Sequence, residues 1–384
     1  MLDLTRQSRA SIALGATLLA SIALPNARGD DYQVHGMYLG SAPSGETNWS
    51  DAAYGLAHDD DHWYIVQSGD GFTGIDSAYL WRIPVSVNLA TVTATTPGVS
   101  RVRGTDVLGV DGIVFGDPVV FSYNGVDYLL APEGFGLNSL TYLAVFNADT
   151  LVFIRHSPWP SPQPDASSIA TDPQGLIYAA SGNPLRTYTV DWIALEQVGQ
   201  LFIQYAGEVT LYDESGLVPV ALGFTRGLEF TPDGRYLYVV ANDIHVFDTV
   251  TWRRVLHSTN GSGHFNFAWR TPDENPGGVT IWDLDSISSP YEGRLHVIVR
   301  DSDAFDADDV ILKHYTMSIR VRAGAPPPGT GSPTQPFPTV TAAVNLAWSG
   351  SEIRIINGGV FDESLTINKR VRVVARGATA RIGG

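Results

Sequence analysis

The sequence contains no cysteine among its 384 residues, and it is poor in basic residues, with 24 Lys and Arg against 40 Asp and Glu. The absence of cysteine excludes disulfides, thiolate metal sites and a cysteine nucleophile. The formal charge of −16 excludes binding of nucleic acid through bulk positive charge. Three catalytic signatures are also missing: G-x-S-x-G, H-E-x-x-H and G-x-x-x-x-G-K. These absences disfavour an enzyme, although catalytic groups that meet only in the fold leave no such signature.

Turn-forming residues are abundant instead. The chain has 39 Gly and 23 Pro, and 44% of its residues are hydrophobic, enough to bury a sizeable core. This composition favours many short strands over long helices.

The first 29 residues have the features of an export signal. Arg6 and Arg9 precede an apolar run over residues 12–24, and Ala27 and Gly29 offer the small residues that a signal peptidase requires. The run is too short to span a bilayer, which needs about 20 apolar residues. We therefore expect an exported protein, secreted or held at the cell surface, whose mature chain starts near Asp30.

A repeated phrase extends over residues 30–322. Each copy has a Gly or Ser, a short apolar strand, a polar turn and two further strands rich in β-branched and aromatic residues. The copies start 61, 52, 59 and 51 residues apart, at Gly55, Gly116, Ser168, Gly227 and Gly278. Because each unit alone would expose an apolar sheet face, the units must stack on one another.

Radial stacking of antiparallel sheets predicts an all-β protein of the β-propeller class. Five blades are the preferred count, and six are the alternative because residues 194–222 hold extra strand-like sequence. The strand over residues 32–39 has no partner nearby in the sequence, so we expect it to be the outer strand of the fifth blade and to close the ring. The phrase GLEFTPDGRYLYVVANDIHVFDTVTWRRV resembles the repeat of bacterial YVTN-like secreted propellers. That resemblance implies the fold and says little about function.

The chain changes character after the propeller. Residues 323–334 are rich in Pro and Gly and predict an extended linker. Val340, Ala343, Val344 and Ala347 follow at helical spacing, with Thr339 as the cap. Short strands are then predicted over residues 352–356, 364–367, 371–375 and 379–382.

Residues 335–384 resemble the first coil, with its short capping helix, of the right-handed parallel β-helix of pectin-lyase-like proteins. A lyase builds its groove from many coils, so we carry over no polysaccharide-cleaving activity. A single coil cannot cover both of its stacking faces. It must therefore rest on its own propeller, belong to a fragment or dock on another molecule by edge pairing.

Charge favours contact of the coil with its own propeller or with another molecule. Residues 323–384 carry six basic and three acidic residues, net +3, whereas residues 30–322 carry −21. A basic end and an acidic body favour head-to-tail contact, within one chain or between copies, or docking on a cell-surface or matrix protein. A solvated face on a folded tail is the alternative. The candidate docking residues are Arg354, Arg370, Arg372 and Arg376.

The densest acidic run suggests calcium, which takes six to eight oxygen ligands. The candidate ligands are Asp301, Asp303, Asp308 and Asp309; a solvated turn is the alternative. A second cluster, His58-Asp59-Asp60-Asp61-His62, is more consistent with a hairpin turn than with a metal site. Most tryptophans are expected to pack between blades, although some could bind a glycan at the rim.

These features predict a secreted, non-catalytic propeller that binds a partner or has a structural role, with the C-terminal coil as its docking or self-assembly element. The alternative is a calcium-dependent hydrolase or lyase acting on phosphate esters, lactones or acidic polysaccharide. No other cofactor, no nucleic acid and no membrane insertion are expected.

Overall fold

The computed structural model describes residues 32–37, 49, 53–67, 78–109, 112–135, 140–162, 165–258, 274–284, 289, 294–301, 310–315, 318–327, 329, 336–347, 351–368 and 371–383. The chain divides into two compact units, a larger one over Gln33–His257 and Trp269–His314 and a C-terminal one within Tyr315–Gly384. The predicted signal segment, residues 1–29, lies outside the described residues.

The larger unit is built from short antiparallel strands. In chain order these are β1 (Tyr32–Met37), β2 (Ala53–His58), β3 (His62–Gln67), β4 (Tyr79–Pro84), β5 (Ser100–Arg103), β6 (Ile113–Phe115), β7 (Val119–Tyr123), β8 (Val126–Phe135), β9 (Tyr142–Asn147), β10 (Phe153–Pro158), β11 (Ser168–Thr171), β12 (Ile177–Ala180), β13 (Leu185–Val190), β14 (Ile203–Val209), β15 (Gly227–Phe230), β16 (Tyr236–Val240), β17 (Ile244–Asp248), β18 (Arg253–Ser258), β19 (Glu274–Ile281), β20 (Leu295–Asp301) and β21 (Val310–Tyr315). Two short helices accompany them, α1 (Gly104–Leu108) and α2 (Trp192–Val198).

The strands form five blades. The first is β2-β3-β4-β5, the third β11-β12-β13-β14 and the fourth β15-β16-β17-β18. The second is β10-β9-β8, with β7 and β6 both pairing with β8. The fifth is β19-β20-β21 with β1 on its outer edge, which confirms that the N-terminal strand completes the last blade. The larger unit is therefore a five-bladed β-propeller.

The alternative of a sixth blade is wrong, because the extra sequence is absorbed by the third. Residues 192–198 form α2, and Asp191 caps it by accepting a hydrogen bond from the backbone N of Ala194 at 2.9 Å. The following strand, β14, pairs with β13 as the outer strand of the third blade. A capped helix between β13 and β14 thus accounts for part of the extra sequence in the third repeat.

Apolar side chains fill the space between neighbouring blades. Trp63 and Trp81 of the first blade share a core with Trp282 and Leu312 of the fifth. Other clusters join the first blade to the second, the second to the third and the third to the fourth. Each of these clusters buries apolar surface that a single blade would leave exposed, so packing between blades stabilises the propeller.

The C-terminal unit pairs its strands in parallel. Its elements are β22 (Ser318–Val321), α3 (Val340–Leu346), β23 (Glu352–Ile356), β24 (Gly359–Phe361), β25 (Arg372–Arg376) and β26 (Ala380–Ile382). One sheet has the order β22-β23-β25, and a second consists of β24 and β26. Thr339 caps α3, as the sequence predicts. The larger resemblance, to a β-helix coil, stays a prediction.

Two details differ from the sequence analysis. Residues 364–367 form no regular element. Strand β22, which the predicted boundary at Arg322 assigns to the propeller, pairs with β23 in the C-terminal sheet. Its four residues are too few to reveal from sequence whether a strand pairs in parallel or antiparallel.

Candidate functional sites

The five innermost strands, β2, β7, β11, β15 and β19, lie side by side around the propeller axis. Each of these strands contains, or closely follows, the Gly or Ser that starts a repeat. A Cβ atom at Gly55 would lie 2.7 Å from Pro118 Cδ, and one at Gly278 would collide with the Leu56 backbone and the Asp117 carboxylate. Glycine is required here because the backbones of neighbouring blades approach so closely.

Asp117 lies at this crowded axis and is fully buried. Its Oδ1 accepts a hydrogen bond from Leu56 N at 2.8 Å, and its Oδ2 accepts one from Leu228 N at 3.3 Å. These amides belong to the first and fourth blades, so one carboxylate of the second blade joins three blades. Burial raises the pKa of Asp117 well above its usual range, and the nearby charge of Glu229 raises it further.

Glu229 is the second acidic group at the axis. It keeps partial solvent access, and burial raises its pKa to about 8. Paired carboxylates with raised pKa values can act as acid and base in catalysis. Here both oxygens of Asp117 are occupied by backbone N–H groups, which favours a structural role.

Three histidines meet between the first and fifth blades. The ring of His58 stacks on Trp282 with centroids 4.7 Å apart, and its Nε2 lies 3.0 Å from the Ile281 carbonyl oxygen. His296 Nδ1 lies 2.7 Å from His314 Nδ1, and its Nε2 is 2.8 Å from the carbonyl oxygen of Trp282. Burial lowers the pKa of His296 to about 3. His58, at the first hairpin, therefore packs between blades.

A further polar cluster lies on the fourth blade. Asp243, His245 and His257 hold their ligand atoms within 4.8 Å of one another. His257 Nε2 is 3.0 Å from Asp243 Oδ2, and the rings of His245 and His257 stack with centroids 4.5 Å apart. Among the described residues this is the one group of three or more His, Asp or Glu side chains close enough to share a metal ion.

Of the four predicted calcium ligands, only Asp301 belongs to the described residues. Asp301 ends β20, and nothing is described of its side chain. Asp303, Asp308 and Asp309 lie outside the described residues. Calcium binding at this run stays a prediction.

Three of the four predicted docking arginines lie on strands of the C-terminal parallel sheet. Glu352 is buried, and its carboxylate oxygens accept hydrogen bonds from Arg354 Nε at 2.9 Å and from Arg372 Nη1 at 3.1 Å. Arg372 is 51% exposed and can meet a partner as well. Arg376 lies on β25 with its side chain undescribed, and Arg370 lies outside the described residues.

A second feature of this unit is the outer edge of β25. Arg372 N donates to Ser351 O, so the amides of residues 372, 374 and 376 face β23 while those of Val373 and Ala375 point away. Within the part of the chain that the structure describes, no strand pairs with this edge. Val373 and Ala375 are also partly exposed.

Sequence reasoning missed the axial acids and the fourth-blade cluster. In the aligned repeats, the position of Asp117 is Leu56, Ile169, Leu228 and Val279, so a charge at an apolar repeat position was an available signal. The position of Glu229 is likewise small or uncharged in the other copies. By contrast, His245 and His257 come together only through the pairing of β17 with β18, which no spacing motif reveals.

The class defined by this architecture is the five-bladed β-propeller. No family model matches the chain, and no curated protein matches it by sequence. Among solved structures, it is similar to a functionally unknown protein from Desulfotomaculum acetoxidans, with 17% identity and a TM-score of 0.35. It is also similar to the β-propeller domain of Cps50 (Swd1) from Myceliophteria thermophila, with 12% identity and a TM-score of 0.33. In both comparisons 66% of each chain is covered, so the protein spans just under two thirds of the chains it matches.

Such similarity carries no inference about function. The described residues include no helix that is long and apolar enough to cross a membrane.

Proposed function

We propose that this protein is an exported, non-catalytic β-propeller with a binding or structural role outside the cell, and that copies of it assemble through the C-terminal unit. The observation that carries the proposal is the outer edge of β25, with which no strand among the described residues pairs. An open strand edge is a template for pairing with another chain unless it is covered. The export signal predicted over residues 1–29 supports the location.

Charge supports a second copy as the occupant of this edge. The C-terminal residues 323–384 carry net +3 and the propeller residues 30–322 carry −21. Two basic edges facing each other across a two-fold axis would repel, whereas a basic edge against the acidic propeller of another copy is attractive. Contact between unlike surfaces is head-to-tail, and it produces rings or filaments rather than a closed dimer.

Light scattering on the protein from residue 30 onward tests this proposal. We expect a mass above that of the monomer at about 0.02 M salt and a decrease toward the monomer at about 0.5 M, because salt screens charge attraction. The variant Ala375→Pro removes one outward N–H of β25 and should remove the assembly. Ala375→Ser keeps that N–H and is the matched control. A monomeric mass at every salt concentration, or equal assembly in both variants, would contradict the proposal.

The proposal includes a calcium ion bound by the acidic run that begins at Asp301. Carboxylates on alternate residues can be directed at one ion. Calorimetry should record heat on calcium addition to the wild-type protein and lose it in Asp303→Asn. If the wild-type protein gives no heat, this part of the proposal fails while the assembly remains testable.

A further inference from the structure

The fourth blade carries two histidines and one carboxylate on neighbouring strands. His245 is on β17, and His257 is on the outer strand β18. Asp243 stands at the turn that leads into β17. A hairpin of paired strands holds side chains more rigidly than a loop does, which suits a site of fixed geometry.

The distances fit ligands of one small ion. Asp243 Oδ2 and His257 Nε2 are 3.0 Å apart. Two ligands bound to zinc at about 2.0–2.2 Å are separated by roughly 3 Å. The ligand atom of His245 lies within 4.8 Å of the other two, and the His245 ring, which stacks on His257, has to turn so that its nitrogen points at a shared ion. Two imidazoles with one carboxylate select zinc and neighbouring divalent transition metals over calcium.

Access and charge also fit. The side chains of Asp243 and His257 are 30% and 31% exposed, so an ion can reach them, while His245 is buried. Arg254 Nη1 lies 3.2 Å from His245 Nδ1 and opposes a cation there. Its charge is offset by Glu214, whose two oxygens accept from Arg254 Nε at 2.8 Å and Nη2 at 3.0 Å. With Asp243 included, the cluster carries one net negative charge when its histidines are neutral.

We infer that Asp243, His245 and His257 form a binding site for a divalent transition-metal ion such as zinc, with the fourth coordination position open to water or to a partner's side chain. The ion takes the place of the proton between Asp243 and His257. The hydrogen bond from Arg254 holds His245 in the metal-free state and is given up when Nδ1 becomes the ligand. This site is independent of the assembly proposed above.

The test uses metal-free protein from residue 30 onward, titrated with zinc alone by calorimetry and with cobalt(II) by visible absorption. We expect one zinc per chain and the visible bands of cobalt bound to nitrogen and oxygen ligands. His257→Ala and Asp243→Asn should each weaken zinc binding at least tenfold. Arg254→Met, which keeps the aliphatic stem but removes the competing donor, should bind zinc more tightly than the wild-type protein.

His62→Ala is the matched control, because His62 also lies near a carboxylate, 3.4 Å from Asp59, but outside the cluster. It should bind zinc as the wild-type protein does. Thermal unfolding without metal checks that each variant is folded, and zinc should raise the unfolding temperature of the wild-type protein but not of His257→Ala. Failure of the wild-type protein to bind zinc, or unchanged affinity in folded His257→Ala, would overturn the inference.

Discussion

At the residue scale, a few polar side chains lie at positions where the repeat is otherwise apolar. Asp117 links three blades by accepting two backbone hydrogen bonds at the axis. A buried donor that loses its acceptor costs about 1–3 kcal/mol. The carboxylate therefore contributes to closure of the ring even though its burial is itself unfavourable.

Asp117→Asn should lower the free energy of unfolding by about 1–3 kcal/mol, because the amide group offers one acceptor oxygen where the carboxylate offers two. Denaturant unfolding at constant pH measures the change. Asp149→Asn is the control: Asp149 is 67% exposed and its ion pair with Arg82 is long, at 3.8 Å, so its loss should change stability by less than about 0.5 kcal/mol. Equal stability of Asp117→Asn and the wild-type protein would show that the axial hydrogen bonds contribute nothing.

Glu229 predicts how stability depends on pH. Its pKa is about 8 in the folded protein, against an ordinary value of 4.5 where the group is not buried. Between these two pH values the folded state therefore holds the proton more often than the unfolded state does. The contribution of this proton to the stability of the folded protein is complete below about pH 4.5 and is lost as the pH rises through about 8. Thermal unfolding across this range should show a decline that is smaller in Glu229→Gln. Parallel profiles for the two proteins would contradict the assignment.

At the element scale, the short helix α3 depends on the groups at its N-terminus. Thr339 Oγ1 accepts from Ala342 N at 3.2 Å, and the Glu363 carboxylate accepts from Val340 N at 2.7 Å and Thr341 N at 2.8 Å. Three of the four N–H groups that a helix leaves unsatisfied are thereby bonded. The cap Thr339 was evident from sequence, whereas Glu363 was not, because it lies beyond β24 and reaches the helix only in the folded unit.

Thr339→Ala and Glu363→Gln should each destabilise α3 by about 1 kcal/mol, because each removes an acceptor for the first turn. Hydrogen exchange of peptides that cover residues 340–346 should quicken roughly five- to tenfold, the equivalent of that energy. Glu208→Gln alters an exposed carboxylate on β14 and should leave this exchange unchanged. Unaltered exchange in both helix variants would mean that packing alone maintains α3.

At the scale of the whole molecule, the sequence was sufficient for the propeller, its five repeat starts and the outer strand contributed by β1. Periodic glycines and alternating apolar residues carry that information locally. The third repeat was ambiguous because α2 precedes its outer strand β14, and this left strand-like sequence that a sixth blade could have used. The axial acids did carry a signal, a charge at an otherwise apolar repeat position, whereas the His–Asp cluster depends on the pairing of β17 with β18, which no spacing motif reveals.

The central claim is that the outer edge of β25 binds another copy of the protein. Hydrogen exchange of residues 371–376 at low salt, measured over a range of protein concentrations, tests it most directly. The account predicts that the outward amides of Val373 and Ala375 become protected as concentration rises, while α3 keeps constant protection. Exchange at these two amides that is independent of concentration would contradict the claim.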